Sequence, residues 1–219
     1  MPVLALESVW KTYDGTTDVL RGVDLRVAEG EAVVIAGENG SGKTTLLNLA
    51  GALDVPTRGT VSVGGRVVGG MTERERSDLR LRTIGFVFQD HELIEELTVL
   101  QNVMLPLRLA RAAGREARAA EVLAAFGLAG LAARRPGAIS TGQRQLAAVA
   151  RALANGPALV LADEPTASLD PANGALVLGA LRQANRERGV AVVLTSPAFD
   201  ATWPGARRFA LRDGNLVPA

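Results

Sequence analysis

The chain contains no cysteine, so disulfide bonds are excluded, and this composition is typical of a cytosolic protein. It has no apolar run near the roughly 18 residues that a membrane-spanning helix requires. The segment after Met1 has no basic stretch followed by a long apolar one, so we expect no signal peptide. The formal net charge of +1 gives no overall attraction to nucleic acid or anionic lipid. We therefore expect a cytoplasmic protein that reaches a membrane only through a partner.

Lysine is scarce as well, because Lys11 and Lys43 are the only two lysines among 24 Lys and Arg residues. Lys43 lies in a glycine-rich segment, at a position where a compact point charge suits an anionic ligand. The only histidine, His91, lies in the acidic segment 90–97. We interpret this segment as a solvated loop, with a metal site as the alternative.

The order of apolar runs predicts an α/β protein. Continuous apolar runs, typical of strands buried on both faces, occupy 31–37, 84–89, 158–163 and 189–196. Shorter alternating segments on either side of the turn signal Asp14-Gly15 predict an N-terminal antiparallel β subdomain. Residues 92–156 are rich in Ala, Leu and Arg and carry helix signals throughout. We predict a single domain, with an α/β core at 1–91 and 157–219 and an inserted helical subdomain at 92–156.

A phosphate-binding loop follows the first of these buried strands. Residues 37–44 read GENGSGKT and match G-x-x-x-x-G-K-[ST] between a predicted strand and a predicted helix. The glycines allow backbone N–H groups to surround phosphate oxygens, and the helix N-terminus adds its dipole. Lys43 is expected to reach the β- and γ-phosphates, and the Thr44 hydroxyl to bind Mg²⁺. The predicted phosphate-binding residues are Gly37, Asn39, Gly40, Ser41, Gly42, Lys43, Thr44 and Thr45.

A second acidic segment completes this site. The apolar run LVLAD ends at Asp163, which is placed to hold Mg²⁺ directly or through water. Glu164 follows, and a carboxylate there can orient and deprotonate an attacking water. The two segments together predict a P-loop NTPase with an α/β, RecA-like core.

Four further segments resemble the ATP-binding-cassette (ABC) ATPases, and the resemblance covers essentially the whole chain. Residues 139–145, ISTGQRQ, resemble the family signature LSGGQ, and 167–170, ASLD, resemble its D-loop. Gln89 matches the Q-loop glutamine, and Tyr13 matches the aromatic residue that stacks on adenine. The segment 84–107 resembles the subgroup that serves macrolide-export, lipoprotein-release and cell-division permeases.

The resemblance implies a role for each matching position. It implies that ATP and Mg²⁺ are the cofactors and that Gln89 acts at the metal and at the reacting water. It further implies that Ser140, the N–H of Gly142, and Gln143 bind the nucleotide of a second ATPase subunit docked head-to-tail, as homodimer or heterodimer. Hydrolysis would drive a membrane permease, which would hold the chain at the inner face of the cell membrane.

Three positions depart from the family pattern: Thr141 replaces a signature glycine, Leu146 replaces a basic residue, and Pro197 replaces the switch histidine. Proline has neither a side-chain donor nor an N–H. Losing one preorganised contact to a transition state lowers a rate by about 10²–10³-fold. We therefore expect ATP binding to be intact and hydrolysis to be slow. His91 lies on a different loop, so we expect it on the surface or facing the permease, and not as a replacement.

Three alternatives stay open. The chain could be a nucleotide-binding partner with little hydrolysis in a heteromeric pair. It could be a soluble cassette ATPase that acts on nucleic acid or ribosomes, or an ATP-sensing regulator without a transport role. The arginine-rich helices, including Arg134 and Arg135, favour solvated faces or permease contacts. We therefore expect no nucleic-acid partner.

Overall fold

The computed structural model describes residues 1–199 and 203–219, whose strands form two sheets. The strands are β1 (Leu4–Thr12), β2 (Asp18–Val27), β3 (Ala32–Ala36), β4 (Arg58–Val63), β5 (Arg66–Val67), β6 (Ile84–Val87), β7 (Leu159–Ala162), β8 (Ala191–Ser196), β9 (Arg207–Arg212) and β10 (Asn215–Pro218). The α-helices are α1 (Lys43–Ala50), α2 (Glu73–Thr83), α3 (Val99–Leu109), α4 (Arg115–Ala125), α5 (Thr141–Leu153) and α6 (Pro171–Arg188).

The larger sheet has the strand order β10-β9-β3-β8-β7-β6. Its neighbours pair in parallel, except for the antiparallel pair β9–β10. Every residue of β3, β7 and β8 is buried, which explains why these strands are continuous apolar runs and not alternating ones. The parallel pairing brings the carboxyl ends of β3, β7 and β8 to the same edge of the sheet. The predicted mostly parallel core is therefore confirmed.

The smaller sheet is antiparallel, with the order β2-β1-β4-β5. Asp14 stabilises the turn between β1 and β2, where its carboxylate accepts from the N–H groups of Thr16 and Thr17 at 2.8 and 2.7 Å. Buried side chains of β1, β2 and β4 join those of β3 and α1 in one hydrophobic cluster. This packing fixes the small sheet against the helix that follows the phosphate loop.

Helix α5 connects the helical part of the chain to the core. Thr98 and Ser140 begin α3 and α5 with capping boxes closed by Gln101 and Gln143. Buried residues of α3, α4 and α5 form one cluster, while the opposite side of α5 packs with β7, β8 and α6 in another. The N-terminus of α5 is therefore positioned by two hydrophobic clusters at once.

The last two strands were not predicted from the sequence. Strand β9 pairs in parallel with β3, although arginines at both of its ends leave only three buried residues at its centre. Within the described residues, no helix is long and apolar enough to span a membrane.

Candidate active site

The phosphate loop connects β3 to α1 through two left-handed glycines. Gly40 and Gly42 have φ angles of +81° and +103°, a region that side chains other than glycine rarely adopt. A Cβ added at Gly42 would lie 3.1 Å from the carbonyl oxygen of Val19, whereas the space around Gly40 is open. The loop is thus shaped by its glycines so that α1 starts immediately after it, with its N-terminal N–H groups available to an anion.

Lys43 places its charge at this loop and beside Glu164. The side chain is 5% exposed. Its Nζ donates to the carbonyl oxygens of Gly37 at 2.6 Å and Glu38 at 2.9 Å and lies 3.2 Å from Oε1 of Glu164. Three oxygens therefore use the three donors of the ammonium. Lys43, which we expect to bind phosphate, is therefore in direct contact with Glu164, which we expect to activate water.

Thr44 and Asp163 form the candidate magnesium site. The Oγ1 of Thr44 donates to Oδ2 of Asp163 at 2.7 Å, so a hydroxyl and a carboxylate from two elements meet at the loop. With phosphate oxygens, this is the oxygen donor set that Mg²⁺ takes in proteins, and the residues therefore fit the ion. Gln89 lies two residues beyond Val87, whose carbonyl oxygen accepts from the N–H of Asp163 at 2.8 Å.

Thr195 fixes both acidic residues and was missed in the sequence. Its buried hydroxyl donates to Oδ1 of Asp163 at 2.6 Å and accepts from the N–H of Glu164 at 3.0 Å. Glu164 has a φ of +42°, a conformation that costs on the order of 1–3 kcal/mol and persists where neighbours enforce it. The signal for Thr195 was available, because a polar residue interrupts the apolar run of β8.

The predicted signature residues lie at the start of α5. Ser140 is exposed, and its hydroxyl accepts from the N–H of Gln143 at 3.3 Å. A Cβ at Gly142 would lie 2.4 Å from Oδ1 of Asn173 on α6, so glycine is required for the close approach of the two helices. Among the described residues, the side-chain hydrogen bonds of Ser140 and Gln143 stay within this cap. They do not reach the phosphate loop of the same chain.

The three departures from the family pattern differ in their surroundings. The Oγ1 of Thr141 accepts from Nη2 of Arg144 at 3.1 Å. Leu146 packs against both hydrophobic clusters that meet at α5. At this position the chain therefore has an apolar packing residue where the family pattern has a basic one. Pro197 is exposed and lines a cavity of ≈ 900 Å³ together with the phosphate-loop residues Glu38 and Ser41.

Helix α5 also holds the loop after β6, which contains Gln89. Nε2 of Gln145 donates to the carbonyl oxygen of Phe88 at 3.3 Å. Arg151 donates to the carbonyl oxygens of His91, at 2.9 Å, and of Glu92. Burial lowers the pKa of the Arg151 guanidinium, and the charge of Glu92 acts in the opposite direction.

His91 is half-buried and has a φ of +67°. Its carbonyl oxygen accepts from Nη2 of Arg151 at 2.9 Å. Tyr13 is 61% exposed at the end of β1, and the ammonium of Lys11 lies 4.7 Å from its ring centroid.

Comparison with known proteins supplies the family. The family model described as ABC transporter matches residues 20–167. The lipoprotein-releasing system ATP-binding protein LolD 2 of Caulobacter vibrioides is 47% identical over 98% of this chain and 96% of its own length. LolD of Bordetella pertussis is 43% identical over 99% of this chain and 96% of its own.

A solved structure agrees with the sequence comparison. The ATP-binding cassette MJ0796, in a dimeric post-hydrolysis state bound to ADP and Pi, matches with a TM-score of 0.89 and 39% identity over 97% of this chain and 96% of that one. The likeness confirms the predicted P-loop α/β fold. The chain therefore belongs to the ABC transporter ATPase family. It is an ATP-binding ATPase subunit, homologous to the LolD proteins of lipoprotein-releasing systems.

The first prediction concerns Thr195. Thr195→Val keeps the shape of the side chain but removes the hydroxyl, which frees Oδ1 of Asp163 and leaves the N–H of Glu164 unpaired. Substitutions behind a metal ligand typically weaken metal affinity or activity roughly 10- to 100-fold. We expect a loss of this size in ATP affinity with Mg²⁺ and little change in EDTA, measured by titration calorimetry. Thr195→Ser, which retains the hydroxyl, is the matched control. Unchanged Mg²⁺ dependence in the valine variant would contradict the role.

The second prediction concerns Arg151. Arg151→Met removes the donors that hold the carbonyl oxygens of His91 and Glu92, and hydrogen bonds to charged groups contribute about 1.5–3 kcal/mol each. We expect amide hydrogen exchange at 90–94 to rise at least about tenfold while β3 and β8 stay protected. Arg151→Lys keeps the charge, so its exchange rate at 90–94 is expected to lie between those of the unaltered chain and Arg151→Met. A uniform rise along the chain would show that Arg151 supports the whole fold instead.

Proposed function

We propose that the chain is the ATP-hydrolysing subunit of a transporter of the exporter or lipoprotein-release type, and that its own site hydrolyses slowly. The observation that carries this proposal is the contact set of Lys43, Thr44, Asp163 and Glu164, together with near full-length similarity to LolD proteins. The chain would work at the cytoplasmic side of a membrane, held there by its permease.

The residues of the site divide the chemistry between them. Lys43 exchanges its two carbonyl contacts for phosphate oxygens and neutralises part of their charge. Thr44 and Asp163, with Gln89, would hold Mg²⁺, which supplies further neutralisation of charge on the β- and γ-phosphates. Glu164 orients a water and takes its proton as the water oxygen bonds to the γ-phosphorus. The bond to the β–γ bridging oxygen breaks, and ADP and phosphate leave.

A second subunit completes the site in this proposal. Ser140 is exposed at the N-terminus of α5, where a hydroxyl and unpaired N–H groups favour an anion. Because these groups make no contact with the phosphate loop of their own chain within the described residues, they are free to serve the nucleotide of a partner. The dimeric state of the MJ0796 cassette supports this arrangement. The partner is a second copy or a related subunit.

The permease is proposed to dock beside the loop that contains Gln89. A groove of ≈ 270 Å³ lies there, lined by residues that include Phe86, Phe88, Leu105 and Leu109. Leu109 is 64% exposed, and Arg151 lines the same groove. A partner in this groove would therefore contact the residues that hold the loop, and purification from membranes with identification of every subunit tests the assignment.

Pro197 supports slow hydrolysis and favours a heteromeric pair as a second arrangement. The position offers neither a side-chain donor nor an N–H to a γ-phosphate. Binding is unaffected in this proposal, because Lys43 and Thr44 lie on α1 and its loop, apart from Pro197. A partner with a more complete site could then supply most of the turnover.

The third prediction tests the proposed slow site. We expect Pro197→His to raise the ATPase rate of the purified chain by roughly 10²-fold, because one contact to the transition state is restored. Pro197→Ala restores the N–H without a side-chain donor and is expected to stay close to the unaltered chain. A fast unaltered chain whose rate is the same in the histidine variant would overturn the proposed slow site.

The fourth prediction tests the assignment of base and binding groups. Glu164→Gln is expected to keep millimolar or better ATP affinity with Mg²⁺ and to lower hydrolysis by about 10²–10⁴-fold, the usual contribution of a general base. The proposal as a whole fails if the unaltered chain shows no ATP affinity at millimolar concentration in the presence of Mg²⁺.

A further inference from the structure

Tyr13, the only tyrosine of the chain, has an unusual neighbour. Its ring is 61% exposed, which is a large exposure for an aromatic side chain. The ammonium of Lys11 lies 4.7 Å from the ring centroid, within the distance of a cation–π contact. The tyrosine is therefore held by a charge on one side while much of its ring stays open.

Lys11 is itself fixed. Its side chain is 10% exposed, and its Nζ lies 2.7 Å from Oδ2 of Asp54. The Nζ also donates to Oδ1 of Asp54 at 2.7 Å and to the carbonyl oxygen of Val55 at 3.0 Å. Burial raises the pKa of Asp54, whereas its bonds to Lys11 and Val55 and the nearby Tyr13 hydroxyl lower it, and the net pKa is below its usual value.

Asp54 belongs to the segment that follows α1. The N–H groups of Leu53 and Asp54 donate to the carbonyl oxygen of Asn48 at 2.9 and 3.2 Å. Helix α1 has 8 residues, a length of about 12 Å, and it begins at Lys43. The two lysines of the chain therefore act at opposite ends of one short helix, one at the phosphate loop and one at Tyr13.

We propose that Lys11 is a positioning residue for the nucleobase. Paired with Asp54, it holds the Tyr13 ring in the orientation in which a base can stack on it while the phosphates of the same nucleotide bind to the phosphate loop. This inference rests on the proposed binding of ATP. A ring already held in one orientation loses less conformational freedom on stacking than a free side chain does. Lys11 thereby favours nucleotides over phosphate chains that lack a base.

The choice of lysine fits this role better than a purely structural one. Replacing a buried ion pair with apolar residues is often neutral or stabilising, so the pair is weak evidence of a stability function. Among the Lys and Arg residues of this chain, all except Lys11 and Lys43 are arginine. A compact ammonium can lie over the ring and reach Asp54 and Val55 at once, whereas a planar guanidinium has a fixed fork geometry.

The test compares two ligands that differ in the base. Binding of ATP and of inorganic tripolyphosphate, each with Mg²⁺, is measured by titration calorimetry for the unaltered chain, Lys11→Met and Tyr13→Ala. We expect Lys11→Met to weaken ATP binding roughly three- to thirty-fold and to leave tripolyphosphate binding unchanged. Tyr13→Ala is expected to lose at least as much, and the double variant little more than Tyr13→Ala alone. Lys11→Arg, which keeps a cation, is expected to recover part of the ATP affinity.

The outcomes separate this inference from the proposed function. Equal weakening of both ligands by Lys11→Met, or no weakening of either, overturns the positioning role. Equal affinity of the unaltered chain for ATP and tripolyphosphate overturns it too, while leaving the phosphate site intact. Absence of binding to both ligands overturns the proposed function itself. If Lys11→Met does not fold, the double variant Lys11→Met and Asp54→Asn, which leaves no unpaired carboxylate, is measured against the same two ligands.

Discussion

The buried hydroxyl of Thr195 is the interaction on which the site depends. From the end of β8 it contacts Asp163 and Glu164, which follow the neighbouring strand β7, and Thr44 on α1 contacts the carboxylate of Asp163. These contacts exist because the parallel register aligns Ala162 with Leu194 and Ala36 with Ser196. A slip of one residue would turn Thr195 to the other face of the sheet and separate the acids from the loop. The chemistry therefore rests on strand register, which the apolar runs specify.

Helix α5 is the second element that connects several parts of the site. It packs into two hydrophobic clusters, presents Ser140 at its N-terminus, and holds the loop after β6 through Gln145 and Arg151. A rotation of α5 would thus move the group that we propose for the partner's nucleotide and the loop that contains Gln89 together. In the proposed transporter, α5 is therefore a candidate for the element that couples the partner subunit to the permease.

The sequence predicted what is encoded locally. The phosphate loop and the apolar run that ends at Asp163 are contiguous patterns, so the sequence alone identifies their residues. Thr195 stands out as a polar residue in the apolar run of β8, but its contact with Asp163 depends on strand register. The close approach of Asn173 to Gly142 depends on helix packing, so neither contact can be predicted from the sequence. Strand β9 was not predicted because the arginines at both of its ends leave an apolar run of only three buried residues. Leu146, which departs from the family pattern, is half-buried and packs against two core clusters.

In the proposed function, binding and turnover are separable because different elements carry them. Lys43 begins α1 and contacts the phosphate loop, and Lys11 contacts Asp54 and Val55 in the segment after α1, whereas none of these hydrogen bonds involves Pro197. In the proposed function, proline at 197 therefore removes a contact to the reacting phosphate without changing the contacts of Lys43 at the phosphate loop. In the proposed transporter, such a subunit stays closed on ATP longer than one with a complete site. In a heteromeric pair, a partner subunit with a more complete site would then supply most of the turnover.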